Sequence, residues 1–209
     1  MTRPFLTIVD YGMGNLRSVQ KALEKVGARA QITDSPRDLE KAKAIVLPGV
    51  GAFGEAVVRL NRQQLMKPLQ KALESGKPFL GICLGLQLLF EKSEESPGAR
   101  GLGFFRGAVV RFKGAAVRDL KVPHMGWNTV DICRKTPVFQ GVRPGSFFYF
   151  VHSYFPVPKD SRLIATKTMY GRSFCSAIAT GSLVASQFHP EKSGDQGLLL
   201  LRNFVRGVN

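Results

Sequence analysis

The sequence predicts an α/β fold, a three-layer sandwich whose mostly parallel central sheet carries an antiparallel extension. Two observations lead there. Through residue 82, short apolar runs alternate with stretches of helical periodicity, the order that builds a parallel sheet covered on both faces. From residue 104 onward the chain turns into short β-rich segments separated by Gly, Pro or charged turns, which read as antiparallel strands added to that sheet.

Each element follows in order. Phe5 to Val9 reads as a buried strand. Leu16, Val19, Leu23 and Val26 recur at spacings of three and four, and Gly27 stands where that helix stops. A short strand around Ala30 to Ile32 and a polar helix near Pro36 to Ala42 come next. Ala44 to Leu47 is another buried strand, running into Pro48-Gly-Val-Gly51. Two helical stretches fill 53 to 75; the second carries Leu65, Met66, Leu69 and Leu73 and stops at Gly76. Pro78 to Ile82 is a further strand, and Leu86 to Phe90 a helical run. The β-rich half comprises Ala108 to Phe112, Thr129 to Cys133, Phe147 to Val151, Leu163 to Thr168, Ser173 to Ala179 and Leu183 to Gln187, before a final helix at Gly194 to Val205. Without linker, repeat or low-complexity segment, residues 1–209 read as one domain.

Composition sets the class. Hydrophobic residues at 44% and charged ones at 22% are ordinary for a soluble globular protein. No apolar run approaches the roughly 20 residues of a membrane helix. The start, Met1-Thr2-Arg3-Pro4, leads straight into a strand without a signal-peptide pattern, so a cytoplasmic location is expected. Three cysteines, at 83, 133 and 175, argue against a disulfide framework. The net charge of +15 is the unusual number. Its excess is spread out, although Arg100, Arg106, Arg111, Lys113, Arg118 and Lys121 stand close in sequence against only Asp119. With no RNA-binding aromatic strand motif, zinc finger or basic helix, this reads as a solvated or partner-facing surface and not a nucleic-acid site.

Chemistry concentrates in three places. Gly81-Ile-Cys-Leu-Gly85 lies between a buried strand and a helical run, where a strand-to-helix turn holds a residue up at the carboxyl end of the sheet. A helix beginning just beyond Cys83 would put its positive end near the sulfur and favour thiolate. Alone, the motif fits a buried structural cysteine as well as a nucleophile. Phe188-His-Pro-Glu191 decides between them: in an extended segment His189 and Glu191 project to one face, and Pro190 stiffens their spacing. A nucleophilic thiol needs a base, and the base an orienting carboxylate. The third place is Pro48-Gly-Val-Gly51, whose backbone N–H groups, with that of Leu84, suit a developing oxyanion. A phosphate cradle is disfavoured because no Walker lysine follows and the spacing does not fit the dinucleotide fingerprint.

Gly81-Ile-Cys-Leu-Gly-Leu-Gln87 and Phe188-His-Pro-Glu191 resemble the two signatures of the class I, triad-type glutamine amidotransferases. Within that class, Asp10-Tyr-Gly-Met-Gly-Asn15, Pro48-Gly-Val-Gly-Ala-Phe-Gly54, Pro123-His-Met-Gly-Trp-Asn128, Tyr149-Phe-Val-His-Ser-Tyr154 and Pro190-Glu-Lys-Ser193 are similar to the glutaminase subunits of imidazole glycerol phosphate synthases. Tyr11-Gly-Met-Gly-Asn15 and His124-Met-Gly-Trp-Asn128 speak against the glutaminases of anthranilate, pyridoxal phosphate or aminodeoxychorismate synthesis. The resemblance implies that Cys83 attacks the side-chain amide of L-glutamine, with His189 moving the proton and Glu191 orienting it. It implies oxyanion donors at Val50, Gly51 and Leu84, after a partner-triggered rearrangement of the loop, and substrate contacts from Gly51, Gln87, Ser153 and Tyr154. It implies a (β/α)8-barrel cyclase partner met by Asn15, Trp127, Asn128, Tyr149 and Lys192, with no cofactor, metal, nucleic acid or membrane involved.

Overall fold

Period-two alternation in the first strands decides which helix covers which side of the sheet. The computed structural model describes residues 3–208; Met1 and Thr2, on which the signal-peptide expectation falls, and Asn209 lie outside them. β1 (Phe5–Val9), β2 (Arg29–Thr33), β3 (Ile45–Gly49) and β4 (Phe79–Cys83) pair in parallel. They are separated by α1 (Leu16–Lys25), α2 (Pro36–Lys41), α3 (Phe53–Arg62) and α4 (Met66–Glu74). Leu6, Ile8, Val46, Leu80 and Ile82 pack on one side with Val19 and Leu23 of α1. Ile45, Leu47 and Phe79 pack on the other with Leu39, Phe53, Leu60 and Leu69 of the remaining helices. A side chain period of two makes this division automatic. α1 opens at Asn15, whose side chain accepts the Ser18 N–H, and ends before Gly27 at φ +100°.

Beyond β4 come the single-turn α5 (Leu84–Gln87), then β5 (Phe90–Ser93), β6 (Phe105–Arg111), β7 (His124–Thr129), β8 (Asp131–Ile132), β9 (Phe147–His152) and β10 (Tyr154–Pro158). β11 (Ile164–Tyr170), β12 (Arg172–Thr180), β13 (Leu183–Ser186) and α6 (Gly194–Arg206) complete the chain. The main sheet has eight strands in the order β2-β1-β3-β4-β13-β12-β11-β8. β13 runs parallel to β4 and antiparallel to β12, so it joins the two halves beside Cys83. α6 buries Leu200, Leu201, Phe204 and Val205 on the α1 side. No helix among the described residues is long and apolar enough to cross a membrane.

The structure corrects the sequence reading in four places. The β-rich half is not one extension: β5, β6 and β10 form a separate three-stranded sheet, and β7 and β9 a two-stranded one. Strand pairing is non-local, and alternation within a segment does not say which partner it will find. The segment Thr129 to Cys133 is split at Val130, because β7 belongs to the small sheet and β8 to the edge of the large one. The helical run Leu86 to Phe90 is a turn at 84–87 followed by β5; every residue from Leu84 to Phe90 is buried, so no polar face marked the period. β10 went unread because Pro156 and Pro158 argue against a strand; it sits at a sheet edge, where proline is tolerated.

Candidate active site

Cys83 closes β4, flanked by β3 and β13, with φ +55° and ψ −106°. A non-glycine residue in such a conformation costs on the order of 1–3 kcal/mol and persists only where its surroundings impose it. Here two glycines impose it. A Cβ at Gly85 would overlap the carbonyl oxygen of Leu47, and one at Gly81 would lie 2.8 Å from the Ala185 Cβ. The turn therefore closes onto β3, and the cysteine is presented at the strand's carboxyl end.

His189 reaches this point from the far side. Its N–H donates to the Tyr149 carbonyl of β9 at 2.9 Å, and its carbonyl accepts the Ser193 hydroxyl at 2.6 Å. The same hydroxyl accepts the Tyr149 N–H at 3.0 Å, which ties the histidine backbone to β9 twice. The segment is not extended as expected: Pro190–Lys192 is a 3-10 turn. Proline's fixed φ suits the first position of such a turn as well as an extended chain, and the curl brings the side chains together. His189 Nδ1 lies 2.9 Å from Glu191 Oε1, both side chains almost wholly buried. With Nδ1–H donating to the carboxylate, the imidazole is held in one orientation. Nε2 is buried without a regular hydrogen bond. Burial alone would lower the His189 pKa, but the Cys83 sulfur and the Glu191 carboxylate together raise it from 6.5 to about 10.

Val50, Gly51, Leu84, Gln87, Ser153 and Tyr154 all line one hollow with Cys83, of about 320 Å³. Volume does not select it, since a groove at 132–144 reaches about 760 Å³. What selects it is the Cys83 sulfur, which acts on the His189 imidazole, together with unused backbone donors. Neither the Val50 nor the Gly51 N–H enters a backbone hydrogen bond, and Gly51 adopts φ +92°. Behind the loop lies the Tyr11 hydroxyl, buried and unpartnered, which a Cβ at Gly49 would overlap. Burial and the Cys83 charge push its pKa upward, so it stays a neutral phenol.

The sulfur's surroundings differ from expectation in one respect. A helix dipole was expected at Cys83, yet α5 is a single turn and brings little macrodipole. A side chain supplies the donor instead: Gln187 Nε2 points to Cys83 Sγ at 3.6 Å. Gln87 Nε2 in turn bonds Gln187 Oε1 at 3.1 Å and the Tyr154 carbonyl at 3.0 Å, which leaves Gln87 Oε1 for a ligand. Sequence reasoning passed over Gln187 as the end of a strand; its place two residues before His189 was the available signal. It also missed Glu95, a carboxylate in the wall of the hollow whose Oε2 accepts the Phe53 N–H at 2.8 Å.

The residues expected at an interface gather only in part. Trp127 and Tyr149 face each other across β7 and β9, ring centroids 6.1 Å apart, and Lys192 Nζ lies 5.7 Å from the Tyr149 ring. Trp127 is 56% exposed, and Met125 and Phe147 on the same face of β7 and β9 are as open. Asn15 is exposed at the head of α1. Asn128 turns inward, its amide engaged by Thr129, Met169 and His124.

The model of the family described as glutamine amidotransferase class-I matches residues 7–208. The chain is 52% identical to the imidazole glycerol phosphate synthase subunit HisH of Syntrophotalea carbinolica, covering 95% of this chain and 98% of the relative. It is 50% identical to the subunit of the same name from Pyrococcus furiosus, covering 96% and 98%. Among solved structures it is similar in fold to PurLQS of Thermotoga maritima, with TM-score 0.76, 20% identity and full coverage of both chains. A glutamine amidotransferase from the same organism aligns with TM-score 0.64 and 18% identity over 100% of this chain and 97% of that one.

The raised His189 pKa has a direct check. Replacing Cys83 with Ala removes the sulfur, so the imidazole pKa should fall clearly below about 10 in an NMR titration. An unchanged value would mean that Cys83 does not act on His189. A folded pKa above the unfolded value gives stability that is complete below about pH 6.5 and lost as pH rises through about 10. Urea unfolding of the wild type should show that loss, and the Ala variant should show less of it.

Proposed function

The chain belongs to the class I glutamine amidotransferase family, and from that premise we propose that it is the glutaminase subunit of an imidazole glycerol phosphate synthase. The observation that carries the reading is the buried His189–Glu191 pair, whose imidazole is acted on by the Cys83 sulfur, next to a hollow that Cys83 lines together with unused backbone donors. Cys83 sulfur attacks the side-chain carbonyl carbon of L-glutamine, and the oxyanion that forms takes N–H groups from Leu84 and the Val50–Gly51 loop. His189, held by Glu191, gives its proton to the departing nitrogen, and ammonia leaves. Water then adds to the γ-glutamyl thioester with His189 as base, which releases glutamate and restores the thiol. Gln87, Ser153, Tyr154 and Gly51 hold the substrate, and the Glu95 carboxylate suits its α-ammonium group.

Ammonia made in bulk water at neutral pH would take up a proton and cease to be a nucleophile. We therefore assign it a protected route to a (β/α)8-barrel cyclase in a heterodimer, where it completes imidazole glycerol phosphate and aminoimidazole carboxamide ribonucleotide in cytoplasmic histidine biosynthesis. The docking face in this reading is the open side of β7 and β9 that carries Met125, Trp127 and Phe147, because exposed apolar side chains gathered on one sheet face mark interaction sites. The net charge of +15 serves association with an acidic face of that partner.

Two measurements test the assignment. Cys83→Ser should abolish glutamine hydrolysis with the circular dichroism spectrum intact, while added ammonium still supports the cyclase. A Ser variant within about tenfold of wild type, a barrier change of only about 1.4 kcal/mol, would rule out Cys83 as nucleophile. Trp127→Ala should weaken the complex at least about tenfold by calorimetric titration, as expected of an aromatic anchor. Unchanged affinity would remove Trp127 from the interface, and an association rate indifferent to salt would remove the role given to charge.

A further inference from the structure

β7 has two faces, and the inward one holds polar groups that the glutaminase mechanism does not use. Met125 and Trp127 point outward, while His124 and Asn128 point inward by the period-two rule. Asn128 is oriented without ambiguity. Its Oδ1 accepts the Thr129 N–H at 2.8 Å, and its Nδ2 donates to the Met169 carbonyl at 2.9 Å. The group 3.2 Å from His124 Nε2 is therefore an N–H, and that ring nitrogen is an acceptor. It follows that His124 carries its proton on Nδ1, which lies 3.0 Å from His152 Nε2. His152 Nε2 must then accept, so its proton is also on Nδ1, and it donates to the Tyr154 carbonyl at 2.9 Å. Each tautomer is dictated by the bond before it.

The Tyr154 carbonyl is where a second arm arrives. It also accepts from Gln87 Nε2, which holds Gln187, whose amide donates to the Cys83 sulfur. We propose that Asn128, His124 and His152 form a hydrogen-bond relay directed from the Trp127 face onto the Tyr154 carbonyl, where it meets a second arm that runs from Gln87 through Gln187 to the Cys83 sulfur, with His124 and His152 as positioning residues. This rests on the glutaminase reading for its consequence, since Tyr154 and Gln87 are substrate contacts there. A partner that moves Trp127 moves Asn128 and His124 with it, for all three belong to β7. The displacement reaches the Ser153–Tyr154 rim through bonds that tolerate no reversal of direction. Burial holds both imidazoles neutral, with pKa values lowered to about 4 for His124 and about 3 for His152. A charged His152 would lose the acceptor the relay needs, and the His189 charge opposes it.

The test has one arm that needs no turnover. Long-range ¹H–¹⁵N correlation spectra of the full chain should show His124 and His152 neutral and protonated on Nδ1 at neutral pH. An Nε2–H tautomer at either position overturns the relay, whether or not the protein hydrolyses glutamine. The second arm uses the complex with the barrel partner. His152→Phe keeps an aromatic ring in its cluster but breaks both bonds, and should raise the glutamine KM at least about tenfold with a smaller change in kcat. His152→Gln, which can accept from His124 and donate to Tyr154, should restore KM to within about threefold of wild type. Equal KM in the wild type and the Phe variant, or equal losses in Phe and Gln, overturns the positioning role. If the Phe variant does not fold, Asn128→Ala gives the same reading from the outer end. His124 should then lose its single tautomer and KM should rise; an unaltered spectrum and KM overturn the relay. A wild type without glutaminase activity would instead sink the functional reading and leave the tautomer result to decide the relay.

Discussion

The close approach of Gly85 to the Leu47 carbonyl is the contact on which the site depends. Because nothing larger than hydrogen fits there, the chain leaving β4 can turn back against β3 at once, and Cys83 takes the positive φ of that turn. A side chain at Gly85 would push α5 away, relax Cys83 and carry Leu84 and Gln87 out of the hollow. The energy that maintains the turn comes from the buried layers on both sides, where β3 and β4 lie inside the sheet with no edge exposed. Core packing and nucleophile geometry are in this sense one constraint.

Parts of this arrangement were legible in the sequence because they rest on local rules. The parallel strands announced themselves as apolar runs between amphipathic helices, and Gly81 and Gly85 bracketed Cys83 at the spacing a sharp turn requires. His189 and Glu191 were readable as a pair through their separation by one proline, although the backbone between them is a 3-10 turn and not extended. What stayed hidden depended on distant partners. Nothing near Ala108 or Tyr154 says that β6 and β10 pair with each other away from the main sheet. Gln187 carried only the hint of standing two residues before His189, because its partners, Cys83 and Gln87, lie about a hundred positions away. The same holds for His124 and His152, each an ordinary histidine until β7 and β9 pair in register.

That pairing also explains how an outer surface and a buried site share parts. Trp127 and Tyr149 are opposite each other on the open side of β7 and β9, while His124 and His152 are opposite each other on the closed side. Tyr149 further lends its carbonyl to the His189 N–H. His189 and the Ser153–Tyr154 rim of the hollow thus hang on the strands that present the exposed apolar side chains. Exposed ion pairs such as Lys21–Glu24 and Arg59–Glu55 contribute little to this, as surface pairs generally do.

The most direct test of Cys83 as the nucleophile of a glutaminase is covalent capture by a glutamine analogue that carries a diazoketone in place of the side-chain amide. Peptide mass mapping of the inactivated protein should locate the adduct on Cys83, with glutaminase activity lost in proportion to labelling and Cys133 and Cys175 untouched. Adducts confined to Cys133 or Cys175, or full activity in protein whose Cys83 is completely modified, would contradict the account.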